Sequence, residues 1–61
     1  MRVQVKFYVP ESVSFGHVYG GYIKSLIVEG EDYRNAMEKA FEVACKAGAD
    51  PNDTMMYKAL D

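Results

Sequence analysis

The first residues of the chain alternate between polar and apolar positions, as a β-strand with one buried face does. The apolar positions between Arg2 and Val9 are Val3, Val5, Phe7 and Val9. Successive side chains of a pleated strand project from opposite sides, so residues two apart share a side. We therefore predict a strand from Arg2 to Val9. It ends at Pro10-Glu11-Ser12, which has the composition of a turn, since proline cannot donate a ladder hydrogen bond.

A second strand is predicted from Ile23 to Glu29, where branched residues dominate. The stretch before it, residues 13–22, also contains strand-forming residues, but Gly16, Gly20 and Gly21 interrupt them. Paired glycines in a strand indicate a bulge, a bend or a close backbone approach. We expect a hairpin whose second arm is irregular at first and regular from Tyr22 onward.

After Gly30 the period changes from two to three and four, which predicts an amphipathic helix. The apolar positions of this stripe are Tyr33, Ala36, Met37, Ala40, Phe41, Ala44 and Ala47. Asp32 has the side chain of an N-cap, and Gly48 lies where a left-handed C-terminal cap belongs.

The last segment, from Met55 to Leu60, fits either a strand or a helical turn. A strand is favoured, because a two-stranded ribbon is too small to be stable alone. The predicted fold class is α+β: a three-stranded antiparallel sheet with one helix packed on one face, in the order ββαβ and with the first strand in the centre. Residues 1–61 form one small domain in this interpretation.

Composition narrows the class of protein further. The chain has 61 residues, of which 49% are hydrophobic, and a formal net charge of −2. No apolar run approaches the roughly 20 residues that span a bilayer, and the alternating N-terminus does not resemble a signal peptide. A lone cysteine excludes an internal disulfide and favours a reducing compartment, so we expect a cytoplasmic protein.

The residues that could carry catalysis lack the partners that catalysis needs. His17 is the only histidine and Cys45 the only cysteine, and neither has a companion at the spacing of a metal site or a nucleophile–base pair. Glu38 and Glu42 fall on the predicted solvent side of the helix. We therefore expect a non-enzymatic protein without a metal or cofactor.

A binding surface is indicated on the side of the sheet away from the helix. Alternation places Arg2, Gln4, Lys6 and Tyr8 there, and the same argument adds Tyr22 and Lys24 from the second strand and Lys58 from the third. The predicted partner-binding residues are Lys6, Tyr8, Tyr22 and Lys24, with Phe15, His17 and Tyr19 of the glycine-bordered segment as a second set.

That surface is compatible with several roles. Tyrosine and arginine side chains are good anchors for an acidic patch on another protein. Tyr8 and Tyr22 could instead stack on the bases of a single-stranded nucleic acid, although the acidic balance of the chain argues against this role. An ordinary solvated face and a homodimer contact are the remaining alternatives.

The run VEGEDYRNA at residues 28–36 is followed by alanines at Ala40 and Ala44. With this arrangement, residues 22–47 resemble small phage-encoded inhibitors of bacterial RNA polymerase. The same strand–turn–helix arrangement is similar to antitoxin-type domains of the partial RNase-H-like class. The resemblance implies a small accessory protein that occludes or redirects a larger machine.

Together these observations predict a small protein-binding module, an inhibitor or regulator of a host protein complex encoded by a phage or mobile element. The alternatives are a nucleic-acid-associated regulator that uses the side of the sheet away from the helix, or a small homodimeric structural subunit.

Overall fold

The computed structural model describes residues 1–60 and confirms the predicted α+β fold. A three-stranded antiparallel sheet has the order β4-β1-β5, with the first strand in the centre, and the helix α1 packs on one of its faces. A second, two-stranded sheet joins β2 to β3. The elements are β1 (Arg2–Val9), β2 (Ser12–Ser14), β3 (His17–Tyr19), β4 (Tyr22–Glu29), α1 (Tyr33–Lys46) and β5 (Met56–Ala59).

The core lies between α1 and the helix-facing side of β1. Its buried members from the strand are Val3, Val5, Phe7 and Val9, and those from the helix are Ala36, Ala40 and Ala44. Alanine has no side chain beyond Cβ, so the helix axis can approach the sheet closely. The large side chains of this core therefore come from the strand, and the helix packs over them.

Both ends of α1 are capped as the sequence predicts. The Asp32 carboxylate accepts a hydrogen bond of 2.7 Å from the backbone N–H of Asn35. The side-chain oxygen of Asn35 in turn accepts a hydrogen bond of 3.0 Å from the backbone N–H of Glu31. At the other end the N–H of Ala49 donates to the carbonyl of Ala44 and that of Gly48 to Cys45, the two bonds of a Schellman motif. Gly48 has a φ of +109°, which a residue with a side chain rarely adopts.

The predicted apolar stripe of α1 is wider than the stripe that is buried. Tyr33 and Phe41 lie at its margin and keep about two-fifths of their surface exposed, at 40% and 41%. On the solvent side, the ion pairs Arg34–Glu38 and Glu42–Lys46 join exposed side chains one helical turn apart. Such pairs contribute only a few tenths of a kcal/mol each. Among residues 1–60, α1 is the one helix, and it is too short and too polar to cross a bilayer.

The chain does not reverse at Pro10, where a turn was predicted. It continues into β2 and reverses five residues later, at Phe15 and Gly16, whose φ angles of +52° and +80° have the sign of a type I′ turn. The expectation of an irregular arm at residues 13–22 is therefore refined: the irregular part is a separate hairpin, formed by β2 and β3.

A glycine junction attaches this hairpin to the sheet. The N–H of Gly21 donates to the carbonyl of Val9 at 2.7 Å, which closes the β1–β4 ladder. Gly20 lies so close to the backbone of Pro10 that a Cβ at that position would collide with the Pro10 carbonyl. The paired glycines thus provide the close approach that the sequence indicates.

The hairpin makes the molecule long and narrow. Its extents are 42 × 16 × 15 Å, and its accessible surface is 4417 Å², whereas a globular monomer of this mass exposes about 4,000 Å². The excess follows from this elongated shape.

Candidate protein-binding surface

The register of the sheet determines which side chains lie away from α1. Residues directly opposite each other in an antiparallel pair project from the same side. The partners of β1's outward residues therefore define a surface that we call the open face. Its members are Arg2, Gln4, Lys6 and Tyr8 of β1, Ile23, Ser25, Ile27 and Glu29 of β4, and Met56 and Lys58 of β5.

Large apolar side chains are exposed on the open face. Ile23, Ile27 and Met56 retain 64%, 63% and 65% of their surface, and Tyr8 lies directly opposite Ile23. An antiparallel sheet with one solvated side normally carries polar residues there. β4 instead carries apolar residues on both sides, a pattern typical of strands whose two faces are both packed against other elements.

The charges of the open face are mainly positive. Lys6 lies in the centre, opposite Ser25 on one side and Met56 on the other, and Lys58 lies opposite Gln4. The one carboxylate of this surface, Glu29, lies opposite Arg2 at the end of the ladder. The surface therefore combines apolar contact area with a cationic centre in a protein whose total charge is negative.

Two shallow depressions lie on the open face over β1, with residues of both β4 and β5 in their walls. One, of about 240 Å³, includes Gln4, Lys6 and Lys58 in its wall, and the other, of about 150 Å³, includes Tyr8 and Ile23. Lys6 and Met56 contribute to both. A partner side chain that entered either depression would therefore meet a methionine and an ammonium group together.

The structure confirms the predicted side of the sheet for some of these residues and corrects it for others. Lys6 and Tyr8 are exposed on the open face, and Lys58 joins them. The placement of Tyr22 and Lys24 on this side was wrong. Tyr22 pairs with Val9 and Lys24 with Phe7, so both project toward the side that carries the helix.

The physical reason is a shift of one residue in strand register. The segment from Tyr22 to Glu29 contains apolar residues at both odd and even positions, so alternation alone does not decide which set is inward. Ile23 and Ile27, which sequence reasoning missed, occupy the places assigned to Tyr22 and Lys24. The available signal was the excess of apolar residues in β4, more than one buried side requires.

The second predicted set lies on the β2–β3 hairpin, which continues from the end of the sheet that holds Tyr8 and Ile23. Phe15 is 98% exposed at the tip of the β2–β3 hairpin, and the rings of His17 and Tyr19 are 6.3 Å apart behind it. These three rings do not cover the core. Their role in binding a partner stays a prediction.

A third concavity lies between α1 and β5, on the side away from the open face. This groove of about 340 Å³ is lined by Met37, Phe41 and Tyr57, with the Arg34–Glu38 ion pair at its rim. The Tyr57 hydroxyl donates to the Met55 sulfur at 3.6 Å. Burial raises the pKa of Tyr57 above its ordinary value of 10.0, and the nearby Cys45 and Tyr33 add to this shift.

Within residues 1–60 there is no group of three His, Cys, Asp or Glu side chains that could hold a metal ion. Comparisons with models of known protein families, with curated proteins and with solved structures found no match.

Proposed function

We propose that this protein is a small, non-catalytic binding module that docks onto another protein through the open face. The observation that supports this most directly is the exposure of Ile23, Ile27 and Met56 on a sheet face that α1 does not cover. Full burial of an exposed isoleucine or methionine contributes about 1.5–3 kcal/mol, and these side chains keep about two-thirds of their surface, so each would contribute about 1–2 kcal/mol before the costs of association are subtracted. The open face therefore offers a partner several apolar contacts.

The charge of the open face indicates the chemistry of its partner. Lys6 and Lys58 project from the same surface as the apolar side chains. A complementary protein surface would present an apolar centre with acidic side chains around it. Opposite charges increase the rate of encounter and set the orientation more than they add affinity.

A nucleic acid partner is less well supported by this geometry. Stacking on bases required Tyr8 and Tyr22 to share a face, but they lie on opposite sides of the sheet. Tyr8 is then the single aromatic ring among the open-face residues. One ring and a few dispersed cations make a poor platform for a polyanion.

The finer part of the proposal concerns the kind of target. The similarity of residues 22–47 to phage-encoded polymerase inhibitors favours a subunit of a large host complex, whose surface the module would occlude. A module of this size acts by covering a site, because its area allows one interface of ordinary dimensions.

The proposal is tested by comparing variants on the two sides of the sheet. Tyr8→Ala and Met56→Lys alter the open face, whereas Lys24→Glu alters the opposite side at a similarly exposed position. Tagged copies of each protein are used to capture partners from host extract at physiological salt. We expect the wild type and Lys24→Glu to recover the same dominant protein and the open-face variants to lose it, with unchanged circular dichroism for all.

If Tyr8→Ala and Met56→Lys still capture the partner, the open face is not the binding surface. Recovery of nothing by the wild type would contradict the function itself. Retention of an oligonucleotide at low salt, lost steeply as salt rises, would favour the nucleic acid alternative.

A further inference from the structure

The outer edge of β4 is a long strand edge that no other strand within residues 1–60 covers. Natural proteins usually protect such an edge with proline, a bulge or charged side chains, or keep it short. β4 has eight residues, no proline, and Lys24 as its one cation. The other edge strand of the same sheet, β5, has four residues.

The hydrogen bonds of the ladder reveal which backbone groups of β4 point outward. Met1 and Gly30 exchange two backbone bonds, of 2.8 and 2.9 Å, just beyond the first register pair. Such bonded pairs alternate along an antiparallel ladder. The backbone groups of the even-numbered residues of β4 therefore point to β1, and those of Ile23, Ser25, Ile27 and Glu29 point away from the sheet.

We infer that this edge pairs with the same edge of a second copy of the chain, antiparallel and centred on Ser25. This register brings outward-pointing groups together, with Ser25 opposite Ser25 and Ile23 opposite the second copy's Ile27. Three residue pairs that each exchange two bonds give about six intermolecular backbone hydrogen bonds. The inference goes beyond the proposed function and does not depend on it.

The side chains of β4 favour this register over its neighbour. Pairing centred on Leu26 would place the carboxylate of Glu29 opposite Ile23. Pairing centred on Ser25 joins isoleucine to isoleucine on the open face and Tyr22 to Val28 on the helix side. Because Tyr8 already lies opposite Ile23, the result is a row of Tyr8, Ile23 and the second copy's Ile27.

The assembly would be one continuous sheet of six strands. A two-fold axis perpendicular to the sheet keeps both helices on one side and joins the two open faces on the other. A chain of this size buries only about 60% of its unfolded surface by itself. Pairing through β4 supplies additional burial and removes the exposed edge.

Engineered thiols test the register directly. In a Cys45→Ala background, Ser25→Cys places two thiols on the axis, where Cα atoms are about 5.5 Å apart, a separation that a disulfide spans. Lys6→Cys is the matched control, since Lys6 lies beside Ser25 on the open face but one strand further from the edge. With oxidised glutathione as the oxidant, we expect Ser25→Cys to form covalent dimer about tenfold faster or more, because its thiols have a high effective concentration.

The mass in solution provides the second measurement. Sedimentation equilibrium of the wild type is expected to show a dimer at about 100 μM that dissociates on dilution, as a contact of this size implies. Ser25→Pro removes an outward N–H without removing a bond to β1, so it should sediment as a folded monomer.

A wild type that stays monomeric at about 1 mM would overturn the inference. Equal rates of crosslinking at the two thiol positions would also overturn it, even if Ser25→Pro fails to fold.

Discussion

Gly30 and Ala36 lie so close together that no side chain fits between them. A Cβ added to Gly30 would stand 2.5 Å from the backbone nitrogen of Ala36 and 2.6 Å from its Cα. Since both neighbours are backbone of the first turn of α1, they cannot rotate away. This contact sets the distance between the end of β4 and the first turn of α1.

We expect Gly30→Ala to destabilise the protein by about 1–3 kcal/mol, the usual cost of forcing atoms into a packed site. The free energy of unfolding from urea titration measures the effect. Gly16→Ala is the comparison, since open space surrounds that position and only its left-handed backbone opposes a side chain, at about 1 kcal/mol. Equal losses at the two positions would show that the Gly30 contact is not tight.

The cap at Asp32 gives a second stability prediction. Its carboxylate accepts a 2.7 Å hydrogen bond from the N–H of Asn35, one of the backbone donors that the helix cannot satisfy itself. Asp32→Ala should cost about 0.5–2 kcal/mol, while Asp32→Ser, which keeps an acceptor, should cost much less. Thermal unfolding of the two variants under identical conditions separates the outcomes. Similar losses for both would mean that the hydrogen bond is unimportant.

Tyr57 predicts a dependence of stability on alkaline pH. Burial raises its pKa above 10.0. Between the unfolded-state and the folded-state pKa, the folded protein therefore keeps a proton that the unfolded chain has lost. The stability from this group is complete below pH 10.0 and is lost as the pH rises through the folded-state pKa. Tyr57→Phe has no proton to lose, so its free energy of unfolding should fall less over the same interval. Parallel pH profiles for the two proteins would contradict the assignment.

Phe15 has an unfavourable backbone conformation at an exposed position. Its φ is +52°, which costs about 1–2 kcal/mol for an ordinary side chain and less for asparagine. Phe15→Asn creates the Asn-Gly pair typical of type I′ turns. We expect slower amide hydrogen exchange in β2 and β3 with little change in the global unfolding midpoint. Faster exchange in the variant would show that the phenyl ring itself stabilises the hairpin.

Several elements could be predicted from the sequence because one local signal determined each of them. Strict alternation and Pro10 define β1, and Asp32 and Gly48 bracket the helix to within two residues at either end. The third strand was predicted from the need to widen a two-stranded ribbon, and the predicted central position of β1 is the one observed. The same reasoning placed Lys6 and Tyr8 on the correct side of the sheet.

The residues of β4 could not be assigned to a side in this way. Ile23 and Ile27 compete with Leu26 and Val28 for the buried side, and the competition is decided by contacts distant in sequence. Gly30 bonds to Met1 at one end of the ladder and Gly21 to Val9 at the other. The turn at Phe15 was missed for a different reason: phenylalanine before glycine is not a recognised signal for a left-handed pair.

The hairpin at residues 12–19 makes its strand contacts within itself, so in the described part of the chain it adds little to the core. Mutation there should consequently be tolerated by the rest of the fold. Over generations its tip could acquire new specificities while the scaffold that carries it is inherited unchanged.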